Sequence, residues 1–198
     1  MSDFSIWFST GLEHIADITA YDHILFLVAL CGVWTISEWK SILIIVTAFT
    51  LGHCISLAAA ALDLIYIPTP LVEFLIPLTI LATCIYNFTK KPGSGNTSIR
   101  LHFGFAFLFG LIHGLGFSYL LKSMLGVADD IVLPLFYFNI GIEIGQIVII
   151  ACIILISFLL KKGFNISHDK WQFFLSAAAF GIALVMALER IGPLIEFL

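Results

Sequence analysis

Between its charged clusters the chain consists of long apolar runs, and the spacing of those runs predicts its elements. Residues 41–62, 101–121 and 171–188 carry no charge over 22, 21 and 18 positions, and a helix that crosses a bilayer needs about 20 mostly apolar residues. Two further runs reach that length only by enclosing an acid: 70–89 contains Glu73, and the 30-residue stretch 131–160 contains Glu143. Another run, from Ile24 to Ser37, has 14 residues and is too short alone. Its helix is therefore expected to begin near Thr19 and to carry Asp22 and His23 into the outer part of the bilayer. Residues 4–17 are apolar at Phe4, Ile6, Trp7, Phe8, Leu12 and Ile15 but polar at Glu13, His14 and Asp17. At about 1.5 Å per residue this piece cannot cross, and it reads as an interfacial or re-entrant half-helix. The expected fold is all-α: a polytopic integral membrane helical bundle, one domain over 1–198, with six spans near 19–37, 41–62, 70–89, 101–121, 131–160 and 171–191. No internal repeat or low-complexity tract is evident.

Composition agrees with this reading. Hydrophobic residues make up 61% of the chain and charged residues 11%, against about 25% charged in an ordinary soluble domain. A soluble globular enzyme, a disordered chain and a nucleic-acid binder are excluded, and the lipid bilayer is the expected surrounding. With six spans, one side holds Lys40, Lys90, Lys91, Arg100, Lys161, Lys162 and Lys170, and the other only Lys122 and Arg190. Lys and Arg concentrate in cytoplasmic loops, so both termini are expected outside. The KKPGSGNTS segment at 90–98 is the one linker-like stretch, broken by Pro92. Cys31, Cys54, Cys84 and Cys152 sit in apolar runs without a CxxC pair and read as small buried hydrophobes. The opening MSDFSIWF has no positive segment ahead of an apolar core, so no removable signal peptide is expected.

Ionisable side chains within a bilayer are costly and mark pathways, ligands or relays, so their depth carries most of the functional information. Asp22, His23 and Glu73 fall in the outer first turns of their spans. His53 and His113 each stand 12 residues beyond the inner end of a span, at Ser41 and Leu101, and so share one depth. Glu143 is 12 residues inward from Ile131, with Asn139 one turn above it. No Lys or Arg is embedded among these groups, so a cation is the missing partner. Asn139, Glu143 and Gln146 share one helix face. Gly141 and Gly145, like Gly110 and Gly114, are four apart and allow a neighbouring helix to approach closely. Imidazole with carboxylate suits nickel, zinc, copper or ferrous iron better than magnesium or calcium. Against these readings stand plainer ones: hydrogen bonds between helices for His53, Asn139 and Gln146, and solvation for Glu13, Asp17, His102 and His168.

The combination GLEHIADITAYDHILFLVAL, FTLGHCISL, LVEFLIPLTI, FGLIHGLGF and FNIGIEIGQ resembles the HupE/UreJ family of small membrane proteins over nearly the whole chain, in its shorter, signal-free bacterial branch. The resemblance implies a bacterial inner-membrane protein that transports a divalent transition metal, usually nickel and otherwise cobalt, in association with hydrogenase or urease maturation. Carried over, the family's first-helix motif falls on His14, Asp22 and His23, and its later acidic and His-Gly positions fall on Glu73 and on His113-Gly114. Two departures stand out: the interval between His14 and Asp22 is longer than in the best-known members, and HGLGFSYLL lacks the Glu that follows their His-Gly pair, for which Glu143 is the candidate substitute. The expected substrate is a divalent ion, nickel first, with cobalt and zinc as alternatives. The expected metal residues are His14, Asp22, His23, His53, Glu73, His113 and Glu143, supported by Asn139, Gln146 and Gly114. No catalytic residue is assigned. Competing classes are an intramembrane metal-dependent hydrolase, although no HExxH occurs, and an accessory subunit that transports nothing. A homo-oligomer is left open.

Overall fold

The computed structural model describes residues 3–31, 34, 36–89, 99–125 and 131–197. Among these it has seven α-helices and no strand: α1 Asp3–Ala16, α2 Asp22–Cys31, α3 Trp39–Ala61, α4 Thr69–Thr89, α5 Ile99–Leu125, α6 Val132–Phe164 and α7 His168–Phe197. Helices α3 to α7 have the length and apolar character to cross a membrane. The span expected over 19–37 is replaced by a shorter element. Helix α2 has 10 residues, about 15 Å at 1.5 Å per residue, which is half the hydrocarbon thickness. The chain cannot run helically from Thr19 because Asp17 holds a turn there: its carboxylate accepts the backbone N–H of Thr19 at 2.8 Å and the Thr19 hydroxyl at 2.7 Å. These bonds hold the exposed Asp17 carboxyl below its ordinary pKa.

Local chemistry accounts for the other helix ends. At the end of α3, Asp63 adopts a left-handed φ of 59°, its N–H reaches Ala60 O, and Leu64 N–H reaches Ala59 O, the reciprocal bonding that closes a helix C-terminus. Asn165, with φ 50°, ends α6 through its N–H to Lys161 O. Inside α4, Pro77 has no N–H for the carbonyl four residues earlier, and that carbonyl, of Glu73, accepts Arg190 Nη1 at 2.7 Å.

Three helix pairs build the bundle: α1 with α6, α3 with α5, and α4 with α7. The first two pairs share one crossing. A Cβ at Gly11 would collide with Phe138 O and one at Gly141 with Phe8 O; a Cβ at Gly52 would collide with Phe107 O and one at Gly110 with Phe49 O. In every case the phenylalanine stands three residues before the partner glycine, so a Phe-x-x-Gly element recurs on α1, α3, α5 and α6. This recurrence, which the linear sequence did not reveal, sets both pairs in contact along parallel directions. Helix α1 is accordingly bedded along α6 rather than lying free at an interface. Helix α2 occupies the centre, with Phe26, Leu27 and Ala29 at or below 1% exposure, as expected for a helix apolar on every side. Of the described cysteines, Cys84 is buried, Cys54 half-buried and Cys152 exposed on α6, so the reading as buried hydrophobes holds among them for Cys84; the Cys31 side chain lies outside the described residues.

Candidate metal centre

Where α1 ends and α2 begins, three chain segments bring imidazoles together. His14 lies in the last turn of α1, His23 in the first turn of α2, and His53 in α3 beside the glycine crossing with α5. One ligand nitrogen from each lies within 4.8 Å of the others. The ring centroids of His14 and His23 are 4.7 Å apart, those of His14 and His53 5.6 Å, and those of His23 and His53 5.9 Å. His113 of α5 adjoins the group, 5.1 Å from His23 between centroids. His53 is wholly buried and neither ring nitrogen has a hydrogen-bond partner; Nε2 of His14 and of His23 and Nδ1 of His113 likewise lack one. Buried polar groups are ordinarily hydrogen-bonded, so this convergence of unpartnered nitrogens is the most informative feature of the molecule.

Two side chains orient the rings. Asp22 Oδ1 lies 2.9 Å from His23 Nδ1 and accepts the His23 backbone N–H at 2.8 Å. The side-chain contact lacks hydrogen-bond alignment and leaves both His23 ring nitrogens without a hydrogen-bond partner. An acid in the first turn of α2 also suits the positive end of that helix. Thr79 Oγ1 of α4 lies 3.1 Å from His113 Nε2. The walls are aromatic: between ring centroids, Phe117 lies 4.1 Å from His14, Phe49 lies 5.2 Å and Phe26 5.6 Å from His113, and Phe138 lies 6.4 Å from His53. Rings of this kind keep bulk water away and strengthen local electrostatics. Toward the surface, an open cavity of about 550 Å³ is lined by Glu13, His14, Asp17, Phe117 and Met124 among others, so His14 belongs both to the cluster and to its mouth.

Of the expected metal residues, the structure gathers His14, Asp22, His23, His53 and His113. Glu73 and Glu143 are not in the three-histidine group, although Glu143 Oε2 is buried without a partner. Glu73 is exposed on α4 and contributes through its backbone carbonyl, the one Pro77 leaves without an intrahelical donor. The Glu143 carboxylate accepts Thr47 Oγ1 of α3 at 2.6 Å, and Gln146 Oε1 accepts Thr50 Oγ1 at 2.8 Å, so both residues join α6 to α3. Asn139 donates to Leu135 O of its own helix at 2.7 Å. Gly114 packs against His53 O and Ser56, which brings α5 up to the cluster. His102, expected to be solvated, is 5% exposed with its ring against Trp34 and Tyr86, because its turn of α5 faces α4. Thr79 escaped the sequence reading: a threonine in an apolar span gives no signal until its partner is known.

The sequence pattern of the family described as HupE / UreJ protein matches residues 1–190. The chain belongs to the HupE/UreJ family. Comparison with curated proteins and with solved structures finds no match. For this HupE/UreJ chain the family and the long apolar helices together establish a multi-pass membrane protein.

Proposed function

We propose that this protein moves a divalent transition-metal ion across a bacterial inner membrane, nickel first and cobalt next, with His14, His23 and His53 as ligands and His113 as the adjoining donor. The observation that carries the proposal is the set of three imidazoles, drawn from three segments, whose nitrogens converge within 4.8 Å and lack protein partners. Tetrahedral nitrogen donors about 2.1 Å from an ion stand about 3.4 Å apart, so side-chain rotations of about an ångström close the site. Imidazole donors suit nickel, cobalt, zinc and copper, and the absence of thiolate from the group disfavours cuprous copper. Glu13 and Asp17 at the mouth draw cations toward His14. The Lys/Arg distribution orients both termini outward, so the mouth faces the outside, and membership of the family supports service of a hydrogenase or urease.

The test is metal accumulation in cells expressing the protein, comparing nickel, cobalt, zinc and copper, with His23→Ala and His113→Ala as controls. Nickel uptake above the vector control, abolished by His23→Ala and reduced by His113→Ala, is the expected result. Uptake indifferent to both substitutions removes the site from the mechanism. A metal that resists chelation and accompanies turnover of a lipid or peptide marks the hydrolase instead.

A further inference from the structure

Beneath the histidine cluster, buried polar side chains continue in one direction. Thr79, Thr83 and Asn87 succeed one another at intervals of four on a single face of α4, each less than 10% exposed. Thr79 touches His113 at the cluster. Thr83 Oγ1 donates to Thr79 O at 2.9 Å. Asn87 Nδ2 donates to Ala29 O of α2 at 2.7 Å and to Ser176 Oγ of α7 at 3.1 Å, and Gln172 Nε2 of α7 reaches Asn87 O at 3.3 Å. Asn87 lines two cavities. One, of about 50 Å³, lies between α2, α4 and α5 and has Phe26, Thr83 and Asn87 in a mostly apolar wall. The other, of about 390 Å³, opens beside α7 and is lined by Asp169, Lys170, Gln172 and Ser176 among others. Phe26, with no exposed surface, faces His113 on one side and the smaller cavity on the other.

We infer that the Thr79–Thr83–Asn87 column, closed by Ser176 and Gln172, is the path by which the ion leaves the histidine cluster toward the Asp169 end of α7, with Phe26 as the barrier between site and path. This inference rests on the transport reading above and adds its inner half. Its chemistry is a descent in affinity. Hydroxyl, amide and carbonyl oxygens hold borderline divalent ions more weakly than imidazole does, and conduction requires sites weak enough to release what they bind. Thr79 to Asn87 spans eight residues, about 12 Å of helix, which covers the distance from mid-depth to the α4 end.

The test separates binding from flux. Purified protein is reconstituted in vesicles containing a metal-responsive dye, with nickel outside, and nickel affinity is measured on the same preparations in detergent. Thr83→Val, which keeps the shape and removes the hydroxyl, and Ser176→Ala are expected to bind nickel as the unaltered protein does. Their maximal flux is expected to fall at least fivefold at an unchanged half-saturating concentration, and Thr83→Ser to restore it. Phe26→Leu is expected to raise flux. Unchanged flux in Thr83→Val and Ser176→Ala, with wild-type flux and nickel binding intact, overturns the path while leaving the transport reading standing. Wild-type vesicles that carry no nickel, cobalt or zinc overturn both.

Discussion

His53 concentrates the chemistry of the site in one side chain: an imidazole with no exposed surface and no hydrogen-bond partner. A buried polar group left unbonded costs about 1–3 kcal/mol, so replacing it by an apolar residue of similar size relieves the apo protein. His53→Leu is expected to melt no lower than wild type without metal and to lose the stabilisation that nickel confers. That stabilisation amounts to about 2.7 kcal/mol at a hundredfold excess over Kd. Thermal unfolding in detergent with and without nickel checks both halves, and an apo form that melts far lower would show that His53 has a protein partner after all. Asp22 and Thr79 act one step back, through the rings they orient. Substituting outer groups of this kind typically weakens metal binding about 10- to 100-fold, and that is the expected loss in Asp22→Asn by equilibrium titration. Glu73→Gln is expected to leave affinity unchanged, because among the described residues Glu73 is engaged through its backbone carbonyl. The sequence made Asp22, His23, His53 and His113 legible as intramembrane polar residues, yet it ranked Glu73 and Glu143 beside them. Depth along a helix is readable from residue number, whereas the direction in which a side chain points at that depth depends on the neighbouring helices.

At the scale of elements, the four Phe-x-x-Gly segments decide how close the helices come. Without a Cβ at Gly11, Gly52, Gly110 and Gly141, carbonyl oxygens of the partner helix occupy the space a side chain would need, and close backbone approach of this kind is a principal means of helix association in lipid. Gly52→Ala and Gly141→Ala are expected to destabilise the protein by about 1–3 kcal/mol through overpacking. Gly104→Ala and Gly181→Ala, whose added methyls meet nothing within 4 Å, should be neutral or gain up to about 1 kcal/mol of helix propensity. Melting temperatures of the four variants in one detergent compare them directly; equal losses in all four would refute a special role for the crossings. The pairs Gly110/Gly114 and Gly141/Gly145 were visible as small-residue motifs, but Gly11 acquired meaning only when its partner was in place. Helix α2 shows the reverse limit. Counting apolar residues predicts a full span there, and the Asp17–Thr19 turn together with burial on all sides yields a central peg instead.

For the whole molecule, the arrangement of charge sets the orientation that transport requires. Lys40, Arg100, Lys161, Lys162 and Lys170 all lie in the terminal turns at one end of the bundle, whereas Arg190 and Lys122 lie toward the other, where Lys122 pairs with Asp63. An impermeant maleimide applied to intact spheroplasts is therefore expected to label Tyr66→Cys, on the exposed loop after α3, and to reach Phe164→Cys, at the far end of α6, only after lysis. The opposite labelling pattern would invert the proposed direction of transport. What the sequence determined by itself is the all-helical membrane class, the family, the charge asymmetry and the presence of unpaired imidazoles at one depth, because each of these is a sum or a spacing along a single chain. The tertiary structure alone decided which of those groups converge, that Thr79 joins them, that Glu73 serves by its backbone, and that a polar column continues below the cluster. Those facts depend on rotations and approaches between helices far apart in sequence, set by glycine crossings and by a ten-residue helix whose place is dictated by everything that surrounds it.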